Sequence, residues 1–457
     1  MLAAGSRCAA IYVVGLAHTP ETKVVFSMAE PNPSGPTGSE LQVIVVGGGV
    51  VGVCCAYFLA LRGASVTVLE KDEVGRAASY GNAGLISPGH PPINRPGRVG
   101  QALRSMGDRL SPLYIEPRWD PSLVRWLWAF RKFCTDRHVE RSMAALAPLG
   151  HRTSDLFDEL VAGEGLDCDY RRSGYLEVFD TAPGLASGRD EVEVVQRHGF
   201  SPEYLNGPAL REREPLLGPR VRGGWWHDEG MVLQPYRFVL EMADRAVAHG
   251  ATIRPGTEVQ AIRSESGSVT GVLTAEGEYI DSDAVVLATG AYSPGLMASM
   301  GCPLPIQPAK GYHRDRRRED PQTPDLRVPC LLAERAVFCS PMQDHVRFAG
   351  TLEFSGLNLD VRGKRLEQLD AAARRYFAAT ELSEPVSEWC GLRPCTPDGL
   401  PVIGRVPGYE GAYVTTGHAM LGLTLGPITG SVVADLVVRG SPTLEIEAFR
   451  PERFADR

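Results

Sequence analysis

The sequence predicts an α/β fold in which one domain is assembled from separated segments and a second, α+β domain is inserted between them. Two observations lead there. From Gln42 the chain reads as strand, glycine turn, helix and strand: VIVV, GGGVVG, VCCAYFLALRG, ASVTVLEKD. Much further on, Thr257 to Leu287 alternates β-branched and polar residues around turns at Glu265 to Ser268 and Ala275 to Gly277. That meander ends in the apolar strand Ala284 to Ala288, followed by Thr289 and Gly290.

The first unit contains Val43 to Leu61, a run without a charge that is long enough to be counted as a membrane span. Glycines 47, 48, 49 and 52 interrupt it where a spanning helix would be continuous, so it divides into strand, turn and helix. In Gly47-x-Gly49-x-x-Gly52 the first glycine permits a tight turn, the second lets the backbone approach a pyrophosphate, and the third lets helix and strand pack closely. Glu70 closes the next strand, where its carboxylate can accept hydrogen bonds from a ribose. A Rossmann-like dinucleotide site follows, and both nicotinamide and flavin cofactors use such a turn. Ser79-Tyr80-Gly81-Asn82-Ala83-Gly84 comes next, read either as a loop pressed on a cofactor or as a plain polar turn.

The remaining elements are less sharply drawn. Ser142 to Val161 places apolar residues at a helical period, Val346 to Phe354 reads as a strand, and Lys364 to Phe377 as a helix. A stretch punctuated by glycine and proline, Gly391 to Gly430, leads to a last helix ending near Arg439, with Gly440 as its C-cap.

Composition excludes several classes. Lys and Arg number 47 against 55 Asp and Glu, a net charge of −8, and no basic run occurs, which argues against a nucleic-acid partner. The ten cysteines show no zinc spacing, so no metal is expected, and they read as buried thiols of an intracellular protein. Residues 1–40 are expected to lie outside the fold. They read as an unstructured extension or as the product of a start assigned upstream of Met28, and they make a poor signal peptide.

With these motifs in place the chain resembles the FAD-dependent D-amino-acid oxidase superfamily, most nearly its bacterial D-amino acid dehydrogenase branch. The glycine turn with Glu70, the Asn82-Ala83-Gly84 segment, Ala288-Thr289-Gly290, Lys310-Gly311-Tyr312 and the run Gly391-Leu392-Arg393-Pro394-Cys395-Thr396-Pro397-Asp398-Gly399 carry the resemblance in the expected order, from residue 42 to about 450. It implies a FAD-binding Rossmann-like domain of the glutathione-reductase type built from 41–110, 230–300 and 391–457. The α+β substrate domain would then comprise 111–229 and 301–390. FAD, held noncovalently, would contact Gly47, Gly49, Val51, Gly52, Glu70, Lys71, Ser79, Asn82, Ala83, Gly84, Val259, Thr289, Gly290, Gly417 and Gly422. The helix after Gly417-His418-Ala419-Met420-Leu421-Gly422 would favour negative charge on the reduced flavin at its N-terminus.

The expected substrate-side residues are Arg393, Tyr312 and His418. Arg393 lies in an apolar setting between Trp389 and Pro394, and its guanidinium matches a carboxylate bidentately. The resemblance implies that it holds the substrate carboxylate; the other reading pairs it with a protein acid. Tyr312 is read either as a second donor to that carboxylate or as a core tyrosine, Lys310 as a flavin neighbour or a solvated lysine, and His418 as a flavin contact or an ordinary loop histidine. The sequence departs from glycine oxidase relatives in lacking an arginine in the loop His418 to Leu421, which predicts a more apolar pocket with no second carboxylate clamp.

Trp126, Trp128, Phe130 and Phe133 share a segment with Arg125, Arg131 and Lys132. Packing into a core or domain interface is the favoured reading, and a basic amphipathic face resting on a membrane is the other. The function expected from all this is oxidative deamination of an amino acid, of D configuration, by hydride transfer from Cα to flavin N5. A quinone, another carrier or dioxygen would then take up the electrons. The alternative substrates are glycine, sarcosine or a cyclic imino acid such as D-proline or a hydroxyproline. The expected location is cytoplasmic, with peripheral contact at the inner face of the membrane as the variant.

Overall fold

The short apolar runs on either side of the glycine turn form the centre of a six-stranded sheet. In the computed structural model, which describes residues 40–100, 111–318, 325–378 and 382–455, the strands are β1 (Gln42–Val46), β2 (Ser65–Leu69), β3 (Leu85–Ile86), β4 (Leu113–Ile115), β5 (Tyr175–Phe179), β6 (Glu203–Asn206), β7 (Gly223–His227), β8 (Met231–Val232), β9 (Thr252–Arg254) and β10 (Val259–Glu265). There follow β11 (Ser268–Thr274), β12 (Tyr279–Asp281), β13 (Ala284–Leu287), β14 (Gln307–Arg317), β15 (Cys330–Leu332), β16 (Val337–Pro341), β17 (His345–Phe354), β18 (Ser387–Cys395), β19 (Val402–Arg405) and β20 (Ala412–Thr416). The helices are α1 (Val50–Leu61), α2 (Pro121–Phe133), α3 (Asp136–Glu164), α4 (Ala182–Arg197), α5 (Gly207–Arg213), α6 (Pro235–Ala248), α7 (Ser293–Ser299), α8 (Gly363–Tyr376) and α9 (Gly422–Val438).

Strand order in the first sheet is β19-β20-β13-β1-β2-β9, parallel except for the antiparallel β19–β20 pair. Its members come from the start, middle and end of the chain, and the meander β10-β11-β12 stands as a separate small sheet. A second, larger sheet runs β18-β14-β17-β16-β15-β5-β7-β6, with β4 beside β17. One expected boundary needs moving. The domain border placed at residue 391 falls inside β18, which pairs continuously with β14 from Gln307 opposite Cys395 to Asp315 opposite Ser387. Residues 391–395 therefore belong to the large sheet.

Helix α1 accounts for the uncharged run. Val50 through Ala60 are all buried, with α9 and α6 packed against the helix, so no face is left for a charge. A Cβ on Gly430 of α9 would lie 2.6 Å from the Cys54 carbonyl carbon, which shows how closely the two helices approach. Burial also explains the adjacent thiols: it raises both, Cys55 to about 12, and makes them poor nucleophiles. The cysteines among the described residues are all free. None of the described helices is long and apolar enough to cross a membrane.

The expected helix at Ser142 to Val161 is the interior of α3, which Thr135 caps by accepting from His138 N and which ends at Gly165 in the left-handed region. The last helix ends at Val438, with Gly440 at φ +76° just beyond. Expectations for residues 1–39 fall outside the described residues.

Candidate active site

A cavity of about 1400 Å³ runs from the glycine turn to the large sheet. All the residues expected at the cofactor and substrate line it except Gly52, Gly84 and Gly417. Those three serve the site by shape. A Cβ on Gly52 would stand 1.8 Å from the Gly47 carbonyl oxygen, one on Gly84 2.3 Å from Leu233 O, and one on Gly417 2.7 Å from the Thr396 methyl. Gly84 and Gly417 also sit at φ +77° and +75°, where a side chain is strained.

At the turn, α1 begins at Gly49 without a side-chain cap and without an acidic residue in its first turn. Ser79 Oγ accepts from Val50 N at 3.0 Å, and the next N–H groups have no partner inside the helix, the arrangement that receives a phosphate. Glu70 is buried and accepts from Gly48 N at 2.7 Å and from Asp72 N at 3.0 Å. Its carboxylate is thereby fixed at the end of β2 with lone pairs to spare for a ribose. A tight glycine cradle, a bare helix start and an anchored acid fit a dinucleotide.

At the other end, Arg393 of β18 lies across Gly311 of β14 so closely that a Cβ there would be 2.2 Å from the guanidinium carbon. Nη1 donates to Thr351 O at 2.7 Å. That carbonyl is aimed by a β-bulge: β17 uses four residues, Gly350 to Glu353, where β14 uses three, Lys310 to Tyr312, and Thr351 takes φ +64°. A β-branched residue in the left-handed region is an outlier of the kind that clusters at functional sites. Among the described residues no carboxylate lies within ion-pair distance of Arg393, so the reading that paired it with a protein acid finds no partner. Burial lowers its pKa, opposed only by the neighbouring Cys395 thiol.

Two expectations require correction. The Tyr312 hydroxyl donates to Glu353 Oε2 at 2.9 Å, and the residue is buried in the core. Tyr312 borders the cavity, but the hydroxyl expected to donate to a substrate carboxylate is committed to Glu353. Lys310 is neither solvated nor in the cavity wall. It is fully buried, and its Nζ donates to Asn358 Oδ1 (2.5 Å) and Asp360 O (3.1 Å) beside Glu353 (3.3 Å). His418 is buried in the wall with Nε2 at 3.1 Å from Thr429 Oγ1, and burial lowers its pKa to about 4, so it is a neutral imidazole. Just after it, α9 starts without a side-chain cap.

Sequence reasoning missed two clusters. One is the row of Asp315, Arg347 and Ser340 on the large sheet, with His313 two residues along β14 from Asp315. The other is the far end of the cavity, lined by Tyr175, Glu177 and His227. There the His227 ring stacks on Tyr175 (4.4 Å) with Glu177 at 3.3 Å and Glu229 at 3.7 Å. Burial disfavours its charge, but the two carboxylates outweigh burial and raise its pKa to about 9. The signal in the sequence was the unbroken run of ionisable residues HRDRR, unusual for a strand that must be covered on both faces.

Comparison with known proteins agrees with this geometry. Residues 42–436 match the DAO family, FAD dependent oxidoreductase. The chain is 33% identical to a D-amino acid dehydrogenase of Methylobacterium nodulans, over 91% of this chain and 99% of that protein. It is 34% identical to one from Cereibacter sphaeroides, over 91% and 95%. Among solved structures, glycine oxidase from Geobacillus kaustophilus superposes with a TM-score of 0.73 at 24% identity (90% and 98% covered), and L-proline dehydrogenase from P. horikoshii with 0.71 at 21% (91% and 98%). A glycine cradle closed by Glu70, a second sheet facing it across one cavity and a match over nearly the whole described chain lead to one conclusion: this protein belongs to the DAO family of FAD-dependent oxidoreductases.

Proposed function

We propose that the protein oxidises the carbon–nitrogen bond of a D-amino acid, giving a 2-oxo acid and ammonia, with FAD held noncovalently. The observation that carries this reading is Arg393, a guanidinium in the cavity wall with no carboxylate to pair with among the described residues. A free amino acid brings the missing carboxylate. The curated relatives named D-amino acid dehydrogenase support the choice of substrate class.

Bound FAD supplies the two-electron acceptor for the hydride leaving Cα. The protein's part is placement. Arg393, pressed on Gly311 and held by Thr351 O, fixes the carboxylate and with it the direction of the Cα–H bond. No ionisable side chain is needed as a base when the amine enters neutral. His418, neutral across the physiological range, does not compete for that proton. The bare N-terminus of α9 offers Gly422 and Leu423 N–H groups to negative charge that builds up in the cavity. Released imino acid hydrolyses in water.

The test is anaerobic bleaching of the bound flavin by a panel of D- and L-amino acids, glycine, sarcosine and D-proline. D-amino acids with apolar side chains are expected to bleach it fastest. Bleaching by glycine, sarcosine or cyclic imino acids alone moves the assignment to the second substrate group, and no bleaching by any of them rejects the proposal.

One observation favours contact with a lipid surface during reoxidation. Helix α2 divides its aromatics: Trp126 is buried, donates Nε1–H to Cys395 O at 2.9 Å and stacks on Phe130, whereas Trp128 is 63% exposed and Trp119, just before the helix, 89%. Arg125, Arg131 and Lys132 are exposed alongside, and Lys132 sits over the Trp128 ring at 4.0 Å. Leu357 and Leu359, more than half exposed, line the cavity beside Arg118, which neighbours Trp119. A basic face with tryptophans beside the cavity is complementary to an anionic bilayer and gives a lipid-soluble carrier a short route. The protein should float with anionic liposomes, and Trp119→Ala/Trp128→Ala should leave it in the soluble fraction. Wild-type protein that stays soluble with anionic vesicles sinks the idea.

A further inference from the structure

Three successive carbonyls of the loop after the dinucleotide unit are each taken by a side chain from a different strand of the large sheet. His313 Nδ1 (β14) donates to Gly81 O at 3.0 Å, Arg347 Nη1 (β17) to Asn82 O at 2.9 Å and Ser340 Oγ (β16) to Ala83 O at 2.5 Å. These strands are consecutive in the sheet, and Ser340, Arg347 and Asp315 form one register row on one face. A backbone carbonyl can only accept, so the proton of His313 resides on Nδ1.

The donors are themselves held. Asp315 grips Arg347 through both oxygens, at 2.9 Å to Nε and 2.8 Å to Nη2. The His313 ring stacks on Trp389 at 5.3 Å. Trp389 packs so tightly on the loop that a Cβ at Gly81 would meet its ring at 2.1 Å. Both burial and the nearby Arg347 charge disfavour the imidazolium, lowering the His313 pKa to about 4, so this donor is unchanged through the neutral range.

In a trans peptide the C=O and the following N–H point opposite ways. Drawing the carbonyls of residues 81–83 onto the sheet turns the N–H groups of residues 82–84 away from it. Gly84 N–H is used by Asn82 Oδ1 at 2.8 Å. Asn82 and Ala83 N–H meet no protein acceptor among the described residues, and both residues line the cavity. Two backbone donors without a protein partner, on half-buried residues of the cavity wall, are free to take an acceptor from elsewhere.

We propose that His313, Arg347 and Ser340 are positioning residues for the flavin: by clamping the Gly81, Asn82 and Ala83 carbonyls they present the Asn82 and Ala83 N–H groups as a donor pair to the acceptor edge of the isoalloxazine ring. The proposal rests on FAD occupying this cavity and not on the identity of the amine. Donors at that edge favour the electron-rich reduced ring over the oxidised one. The clamp therefore sets the potential of the flavin as well as its affinity.

The experiment compares the midpoint potential and the FAD dissociation constant of the holoenzyme in wild type, Arg347→Met, His313→Ala, His313→Asn and Ser340→Ala. Asn keeps a donor near the place of Nδ1. Expected is about a tenfold weaker hold on FAD together with a lower potential in Arg347→Met and His313→Ala, a smaller shift of the same sign in Ser340→Ala, and recovery of both readings in His313→Asn. Damage that merely loosens the fold weakens both oxidation states equally and leaves the potential unmoved. An unchanged potential in these variants overturns the proposal, whatever happens to affinity. Should Arg347→Met fail to fold, Ser340→Ala, which removes a single hydroxyl, decides the matter. Potentials are read with a chemical reductant, so a failure of the amino-acid assignment shows itself separately, in the bleaching panel.

Discussion

Gly52→Ala is expected to yield a protein that purifies colourless and takes up FAD at least a hundredfold more weakly than wild type. The added methyl would be placed 1.8 Å from the Gly47 carbonyl oxygen and 3.4 Å from the Ala288 side chain. Neither neighbour has room to yield. Gly47 already sits at φ +109°, its own Cβ position blocked by Ala288 O at 2.6 Å, and β1 is locked in parallel register between β13 and β2. The start of α1 must therefore move off the strand, and with it the N–H groups that would receive the pyrophosphate. Overpacking of this kind destabilises by roughly 1–3 kcal/mol, while the loss of phosphate contacts falls wholly on FAD. Gly363→Ala is the matched control: that glycine opens α8 with nothing within 4 Å of its Cβ position, and substitution there should stabilise by about 0.5 kcal/mol. Flavin absorbance per protein and fluorescence titration with FAD check both. Gly52→Ala protein that is yellow and binds FAD like wild type would show that the turn does not hold the cofactor.

The dinucleotide unit was legible because its determinants are local. Each glycine of the turn answers to a neighbour in the same unit or to β13, and a helix with no charge in twelve residues announces that it is covered on every side. Lys310 and Tyr312 were not legible, because their surroundings depend on Glu353, some forty residues away, arriving through a bulge that sequence periodicity does not reveal. Strand alternation separates Gly311 from Lys310 and Tyr312, but what each side meets is decided by the partner strands. The carbonyl clamp was hidden for a similar reason. Its donors lie more than two hundred residues from their acceptors, and its acceptors are backbone atoms, which carry no residue signature. Helix α2 shows a mixed case: Trp126 belongs to a core cluster, as the packing reading has it, whereas Trp128 lies at the surface, where sequence periodicity does not say what it meets.

Arg393→Met is expected to lower kcat/KM for the best amino-acid substrate by at least a hundredfold while leaving thermal stability unchanged or slightly raised. The two readouts together separate the roles open to this arginine. A guanidinium paired with a protein carboxylate leaves an orphaned buried charge when it is removed, and the fold loses roughly 3–5 kcal/mol. Among the described residues Arg393 makes a single side-chain hydrogen bond, to Thr351 O, and burial already disfavours its charge. Replacing it with an apolar chain of similar reach therefore removes a desolvation penalty and forfeits one neutral acceptor. A substrate carboxylate loses far more, because charge-assisted bonds contribute about 1.5–3 kcal/mol each, and a loss of about 2.7 kcal/mol corresponds to the hundredfold. Arg393→Lys should recover part of the affinity through its point charge but not the planar orientation, so kcat should stay low even at saturating substrate. Gly311→Ala approaches the same atom from below: its methyl would occupy the space of the guanidinium carbon at 2.2 Å, so it should lower kcat/KM in parallel with Arg393→Lys while FAD remains fully bound. Arg393→Met with wild-type kcat/KM, or with a fold that collapses for want of an ion pair, would remove the carboxylate role from this residue.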